Sequence, residues 1–298
     1  MKLSEELFGF QAEETVGERL HFKLYEVFLV AFATTWMWQW GLYVQSLTNV
    51  VQPLGIAEYI DVSRFFSPLA LLNAALFSVC ALLGLLRVAP RLGYTVAFAA
   101  FHLQYVTRFS LGEICHASNF VGMGVLALAG AMWLYPDARE RRRFVFGASI
   151  FFLGLGYSSA ALSKLVASGF GWADGLHLWL WIGEKSVDYY SKFGELRLNA
   201  LQEAALSSRG LATVILATGL LVEAGGFLLW FRRLRVWVAI LCIGMHLGIH
   251  FAMNIMFDQF IYQLVILCFP LGAFIDRGLA RSGESAKRRL GGLSLRFA

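Results

Sequence analysis

The chain has 298 residues, of which 58% are hydrophobic and 15% charged, with a formal net charge of +5. A water-soluble domain of this length is not that apolar, so the expected class is an all-α, polytopic integral membrane helical bundle. The arginines gather in short loops and a tail, which is a topology signal and not a nucleic-acid footprint, and no nucleic-acid role is expected.

Residues 1–21 are polar and acidic, without the pattern of a cleaved leader, and read as a cytoplasmic amphipathic segment with Leu7, Phe8 and Phe10 turned to the membrane. The first span covers residues 22–44 and carries Trp36, Trp38 and Trp40 near its far end, where aromatic belts lie. The second, residues 66–88, ends at Arg87 and Arg91. The third, residues 93–112, turns polar at His102, Arg108 and Glu113. A tight turn through Cys115 and His116 leads into the fourth, residues 117–135, then a basic loop and the fifth, residues 144–168, with Lys164 near its exit.

Residues 169–209 mix tryptophans with charges and suit an interfacial or re-entrant helical connection better than a structureless loop. The sixth span, residues 210–231, holds Glu223. The seventh, residues 236–254, holds His246 and His250, and the eighth, residues 257–275, precedes a basic, flexible tail at residues 276–298. This gives about eight spans, each near the roughly 20 apolar residues that a bilayer core requires. They form one membrane domain over residues 1–275, without an internal repeat.

Threaded alternately, these spans bring Arg87 and Arg91, the cluster from Arg139 to Arg143, Arg232 to Arg235 and the tail arginines to one face. By the positive-inside rule that face is cytoplasmic, with both termini inside, and the membrane is the plasma (inner) membrane if the protein is bacterial.

Counted at 1.5 Å per residue, Lys164 lies roughly 30 Å along its helix, at the outer edge of the hydrocarbon. Arg108 and His250 come to a similar level, and Glu223 and His246 lie closer to the midplane. Charges at such depths are costly unless they share a polar cavity or find partners. Bland readings stand beside the cavity. Lys164 could snorkel to the interface, Arg108 and Glu113 could be an intrabundle ion pair, and Glu223 could be held between helices. His246 and His250 share a helical face at metal-ligand spacing, but without a third ligand the spacing fits interhelical hydrogen bonding better, and no metal is expected. Cys80, Cys115, Cys242 and Cys268 lie far apart and read as packed thiols.

Tyr157, the small residues Ser159 to Ala161, Leu162, Lys164 and Leu165, followed by Trp172, Asp174 and Gly175, form a pattern. It resembles the Y-x-x-[AS]-G-[LI]-x-K-L…W-x-[DE]-G signature of the membrane domain shared by vitamin K-dependent gamma-carboxylases and horizontally transferred transmembrane (HTTM) proteins, with Ala161 where glycine is usual. The stretch with Glu223, the arginine turn and His246 is similar to that family's E…R…H region.

The resemblance implies that Lys164 is the base that deprotonates a reduced, vitamin K-like quinone, and that His116 is the nearest match to an assisting histidine. It also implies a lipophilic pocket, with Arg108, Tyr157, Trp172, Glu223, His246 and His250 as substrate-binding residues. A poorly solvated lysine suits a general base, because desolvation disfavours its charged form. Carboxylases carry a large lumenal region after this domain, so peptide carboxylation in that form is not expected here. The partners expected are membrane lipid and a lipophilic small molecule, with a protein partner or oligomer left open. The alternatives are a non-catalytic membrane subunit or lipid-binding scaffold and, ranked lower, a transporter.

Overall fold

A computed structural model describes residues 2–44, 55–66, 68–110 and 116–294. Among them there are helices and turns and no strand. In chain order the helices are α1 (Leu3–Leu7), α2 (Val16–Val44), α3 (Pro68–Leu85), α4 (Pro90–Phe109), α5 (His116–Leu134), α6 (Ala138–Ser168), α7 (Gly175–Phe193), α8 (Ala200–Ser207), α9 (Arg209–Ala224), α10 (Arg232–Met253), α11 (Asp258–Cys268) and α12 (Leu271–Ser294). Short 3-10 turns precede α3, join α6 to α7 and join α9 to α10.

Each predicted span falls on a helix. Among the described residues, five helical segments are long and apolar enough to cross a membrane, those built on α2, α3, α6, α9 and α10. A sixth is reached if α11 and the start of α12, broken at Phe269 and Pro270, count as one. The chain is therefore consistent with an integral membrane protein. The helix α12 runs through most of the predicted tail, to Ser294.

Helix ends follow local chemistry. Pro90 opens α4, where a missing N–H costs nothing. Asp137 caps α6 by accepting the N–H groups of Arg139 and Glu140 at 2.9 and 3.0 Å. Asn199 and Gln202 form a reciprocal capping box on α8. Gly194 ends α7 in the left-handed conformation, and Asn254 ends α10 in the same way.

The residues divide into two compact units. The first comprises Phe8–Ser149 and Pro270–Ala298. Here α2 to α5, the first turns of α6, and α12 pack through small residues and aromatic rings. A Cβ added to Gly84 would lie 2.7 Å from the Tyr94 ring, and the Trp36 and Phe101 rings are 4.9 Å apart. Glu26, fully buried on α2, accepts from the Tyr94 hydroxyl at 2.7 Å and pairs with Arg87 at 2.8 Å and Lys23 at 3.1 Å. These donors offset the cost of burying its charge.

In this unit the N-terminal segment lies on protein, contrary to the sequence-based expectation that its aromatic residues face lipid. Phe8 stacks on Phe10 and Phe144, and Phe10 packs on Tyr135. Glu14 takes a bidentate pair from Arg142 at 2.5–2.6 Å, and Arg143 donates to the carbonyls of Gly9 and Glu13. The acidic segment has a basic loop to neutralise, and aromatic side chains beside it complete the contact.

The second unit comprises Met1–Leu7 and Ile150–Phe269. Its core includes Ala161, Leu178, Ile182, Ala212, Leu216 and Leu220. The part of α6 from Ile150 onward runs against the 3-10 turn Gly225–Trp230, where a Cβ on Gly226 would meet Tyr157 Cβ at 2.3 Å. Glycine is required there by the closeness of the two segments. Glu6 is also buried in this unit. Its carboxylate accepts from the Arg232 N–H at 3.0 Å and its carbonyl from the Arg232 side chain at 2.9 Å.

Candidate functional site

The second unit brings Tyr157, Lys164, Trp172, Glu223 and His246 together from α6, the turn after it, α9 and α10. Lys164 Nζ donates to Glu223 Oε2 in a short ion pair, with the two side chains 26% and 12% exposed. The same ammonium lies 4.5 Å from the centre of the Trp172 ring. A cation on an aromatic face and against a carboxylate gains from both. The head group is thus engaged by protein groups, which a snorkelling lysine would not need.

Tyr157 lies two turns earlier on α6, about 10 Å along the axis, on the same side as Lys164. Its hydroxyl is 2.6 Å from His246 Nε2. His246 is 4% exposed and packed among Tyr157, Phe257 and Phe260, with ring centres 5.1–5.7 Å away. The other ring nitrogen, Nδ1, has no protein partner, and neither has Nδ1 of His250. Among the described residues no group of three His, Cys, Asp or Glu side chains could hold a metal ion. His246 spends its Nε2 on a tyrosine instead.

Each residue of the second half of the motif has a distinct physical task. Trp172 covers the lysine and packs against Trp181 at 5.6 Å, while its carbonyl meets His177 Nδ1 at 3.0 Å. Asp174 caps α7, accepting the Leu176 N–H at 3.0 Å, and forms a bidentate pair with Arg209 at the start of α9. The Arg209 guanidinium first, and the Leu176 N–H second, hold the Asp174 carboxyl down at about 2. Gly175 lets the backbone of α9 approach, since a Cβ there would lie 2.2 Å from the Arg209 carbonyl oxygen. Its N–H donates to Thr213 Oγ1 at 2.9 Å. The turn is therefore built to hold one indole over one ammonium.

The remaining sequence candidates lie elsewhere. Arg108 belongs to the first unit, where its guanidinium stands 5.4 and 4.9 Å from the Trp36 and Trp40 ring centres. His116 begins α5, and its side chain lies outside the described residues, as do Glu113 and Cys115 entirely. His250 is in the same unit as Lys164, and its ring centre is 5.5 Å from that of Phe251. Cys242 and Cys268 are buried free thiols, and Cys80 is half-buried.

Sequence reasoning passed over Phe257, Phe260 and Arg209, and it placed Asp174 in the motif without its capping role. For Phe257 and Phe260 the signal was only a pair of aromatics after a helix end. For Asp174 it was available, because an Asp two residues before an apolar helical run is a cap.

The arrangement supplies one amine with its counter-charge, one planar aromatic face and two histidine nitrogens not occupied by protein. An amine in this setting can take up or release a proton at Nζ, and Glu223 fixes where Nζ stands. Comparison with family models, with curated proteins and with solved structures finds no match to this chain.

Proposed function

We propose that the chain is a membrane enzyme of the gamma-carboxylase membrane-domain kind, acting on a quinone-like or other lipophilic substrate near the outer face, with Lys164 as general base. The observation that carries this reading is the meeting of three motif positions at one point: Lys164, its partner Glu223 and the overlying Trp172. A reduced quinone would supply an acidic phenolic O–H and a pair of electrons. The residues suit such a ring in that Trp172 offers a flat face, and His246 and His250 each keep a ring nitrogen without a protein partner.

In the chain itself, the lysine works as a base in its neutral form: the proton that Nζ shares with Glu223 passes to that carboxylate, Nζ then receives the phenolic proton, and the indole keeps water from one side. Tyr157 and His246 tie α6 to α10, so that the lysine's helix does not shift.

In this reading all eight helical segments cross the membrane, including α4 and α5, and both termini are cytoplasmic. The segment α7–α8 then lies at the outer interface. Leu176, Leu180, Val187 and Tyr190 are exposed and recur on one side of α7, while Glu184, Lys185 and Asp188 occupy another, as suits a helix lying in a headgroup layer.

A second reading is favoured by the same ion pair. If Lys164 and Glu223 only lock α6 to α9, the protein is a non-catalytic subunit or lipid-binding scaffold. Oxygen uptake driven by a reduced naphthoquinone, measured on the wild type and on Lys164→Ala, separates the two. The enzyme reading requires uptake that depends on Lys164.

A further inference from the structure

The basic residues of the first unit are not equally available. Arg142 is committed to Glu14, and Arg143 to the Gly9 and Glu13 carbonyls and to Glu18 at 3.5 Å. The tail helix α12 differs. Its Gly272 packs on Gly17 at the start of α2, where a Cβ on Gly17 would lie 2.1 Å from the Gly272 carbonyl oxygen. One turn on, Asp276 accepts the Gly17 N–H at 2.7 Å. These two positions, four residues apart, define the side of α12 that faces α2.

Phe274, Arg277 and Arg281 recur at the three- and four-residue spacing of one helical face and fall on the opposite side. All three are exposed, and the Arg277 guanidinium stands 4.8 Å from the centre of the Phe274 ring. The anchor relates this face to α2, because Gly17 lies in the first turn of that helix, whose polar beginning (Glu18, Arg19, His21 and Lys23) precedes its apolar run. A face beside that polar beginning, with one aromatic ring and two arginines, has the chemistry of a headgroup layer.

We infer that α12 is a membrane-surface helix whose Phe274, Arg277 and Arg281 face binds anionic phospholipid headgroups. Charge complementarity selects the partner: two arginines attract a negatively charged lipid surface and gain little from a zwitterionic one. Continuity selects the location, since the helix is pinned to the entry point of a membrane-spanning helix. Phe274 supplies the apolar contact that keeps the helix at the boundary.

The test places a single nitroxide at Gly278→Cys, a position where an added side chain meets nothing within 4 Å. The full chain is reconstituted into nanodiscs of phosphatidylcholine alone or with one-third phosphatidylglycerol. Relaxation by lipid-soluble oxygen and by water-soluble nickel gives the depth, and protein without the introduced cysteine sets the background. In the anionic discs the label should sit at the headgroup level. It should move into water in phosphatidylcholine discs, in high salt and in Arg277→Gln/Arg281→Gln. Two arginines near a charged surface correspond to about a 30-fold change in the surface-bound population. A label at the same depth in both lipid compositions, or a depth unaffected by the double substitution, would overturn the inference. Both arginines are exposed, so the double variant is expected to fold, and a size-exclusion profile matching the wild type confirms it.

Discussion

Lys164 and Glu223, 59 residues apart in sequence, form one ion pair between α6 and α9 beneath Trp172. Removing one partner strands a mostly covered charge, whereas removing both leaves none. Lys164→Met or Glu223→Leu alone should therefore cost about 3 kcal/mol, and the double variant clearly less than the sum. Thermal unfolding midpoints in detergent read this directly. Strictly additive losses would mean that the two side chains do not interact.

The Tyr157–His246 contact makes a smaller and separable contribution. Tyr157→Phe keeps the ring packing and deletes only the hydroxyl, so about 1 kcal/mol should be lost. His246→Leu should cost more, because it also empties an aromatic cage formed by Tyr157, Phe257 and Phe260. An unchanged midpoint for both variants would remove the contact from the account.

Gly175 is required by distance and not by backbone angle. With the Arg209 carbonyl 2.2 Å from the place of an added Cβ, Gly175→Ala should push α7 from α9 at a cost of about 1–3 kcal/mol. Hydrogen exchange should accelerate in α7 and α8 before it does in α10. Exchange unchanged in α7 would contradict the packing described.

Asp174 gives the start of α7 a pH dependence of known sign. Its carboxyl is held at about 2, below the usual carboxylate value of about 4, by Arg209 and the Leu176 N–H. The stabilisation is therefore complete above about pH 4 and is lost as pH falls through about 2. Asp174→Asn should abolish this dependence for the amides of α7. A variant with the wild-type acid profile would show that another group is responsible.

Much of the helical layout was legible in the sequence, because the first, second, fifth, sixth and seventh predicted spans are apolar runs long enough to be read without their neighbours. The motif was legible as well, though not the work of its parts. Trp172 as a lid and Gly175 as a point of approach depend on α9, which returns only after the 169–209 connection. Glu223 could be marked as a charge in an apolar helix, but its partner could not be read, since pairing across 59 residues leaves no periodic trace.

The N-terminal segment misled for a related reason. Phe8 and Phe10 look lipid-facing when only their own helix is considered, and they find Phe144 and Tyr135 instead. Glu26 was readable and missed, because a carboxylate within an apolar run should be assigned a cationic partner. Arg87 and Lys23 are those cations.

In the function proposed above, Lys164 is a base for a lipophilic acid. The most direct measurement is the initial rate of oxygen uptake with a reduced naphthoquinone, on nanodisc-embedded wild type, Lys164→Ala and Lys164→Arg whose folding has been verified by size exclusion. The account predicts uptake by the wild type, reduced 10²- to 10⁴-fold in both variants, about the range a general base contributes. A folded wild type without uptake, or a Lys164→Ala variant at the full rate, would contradict it.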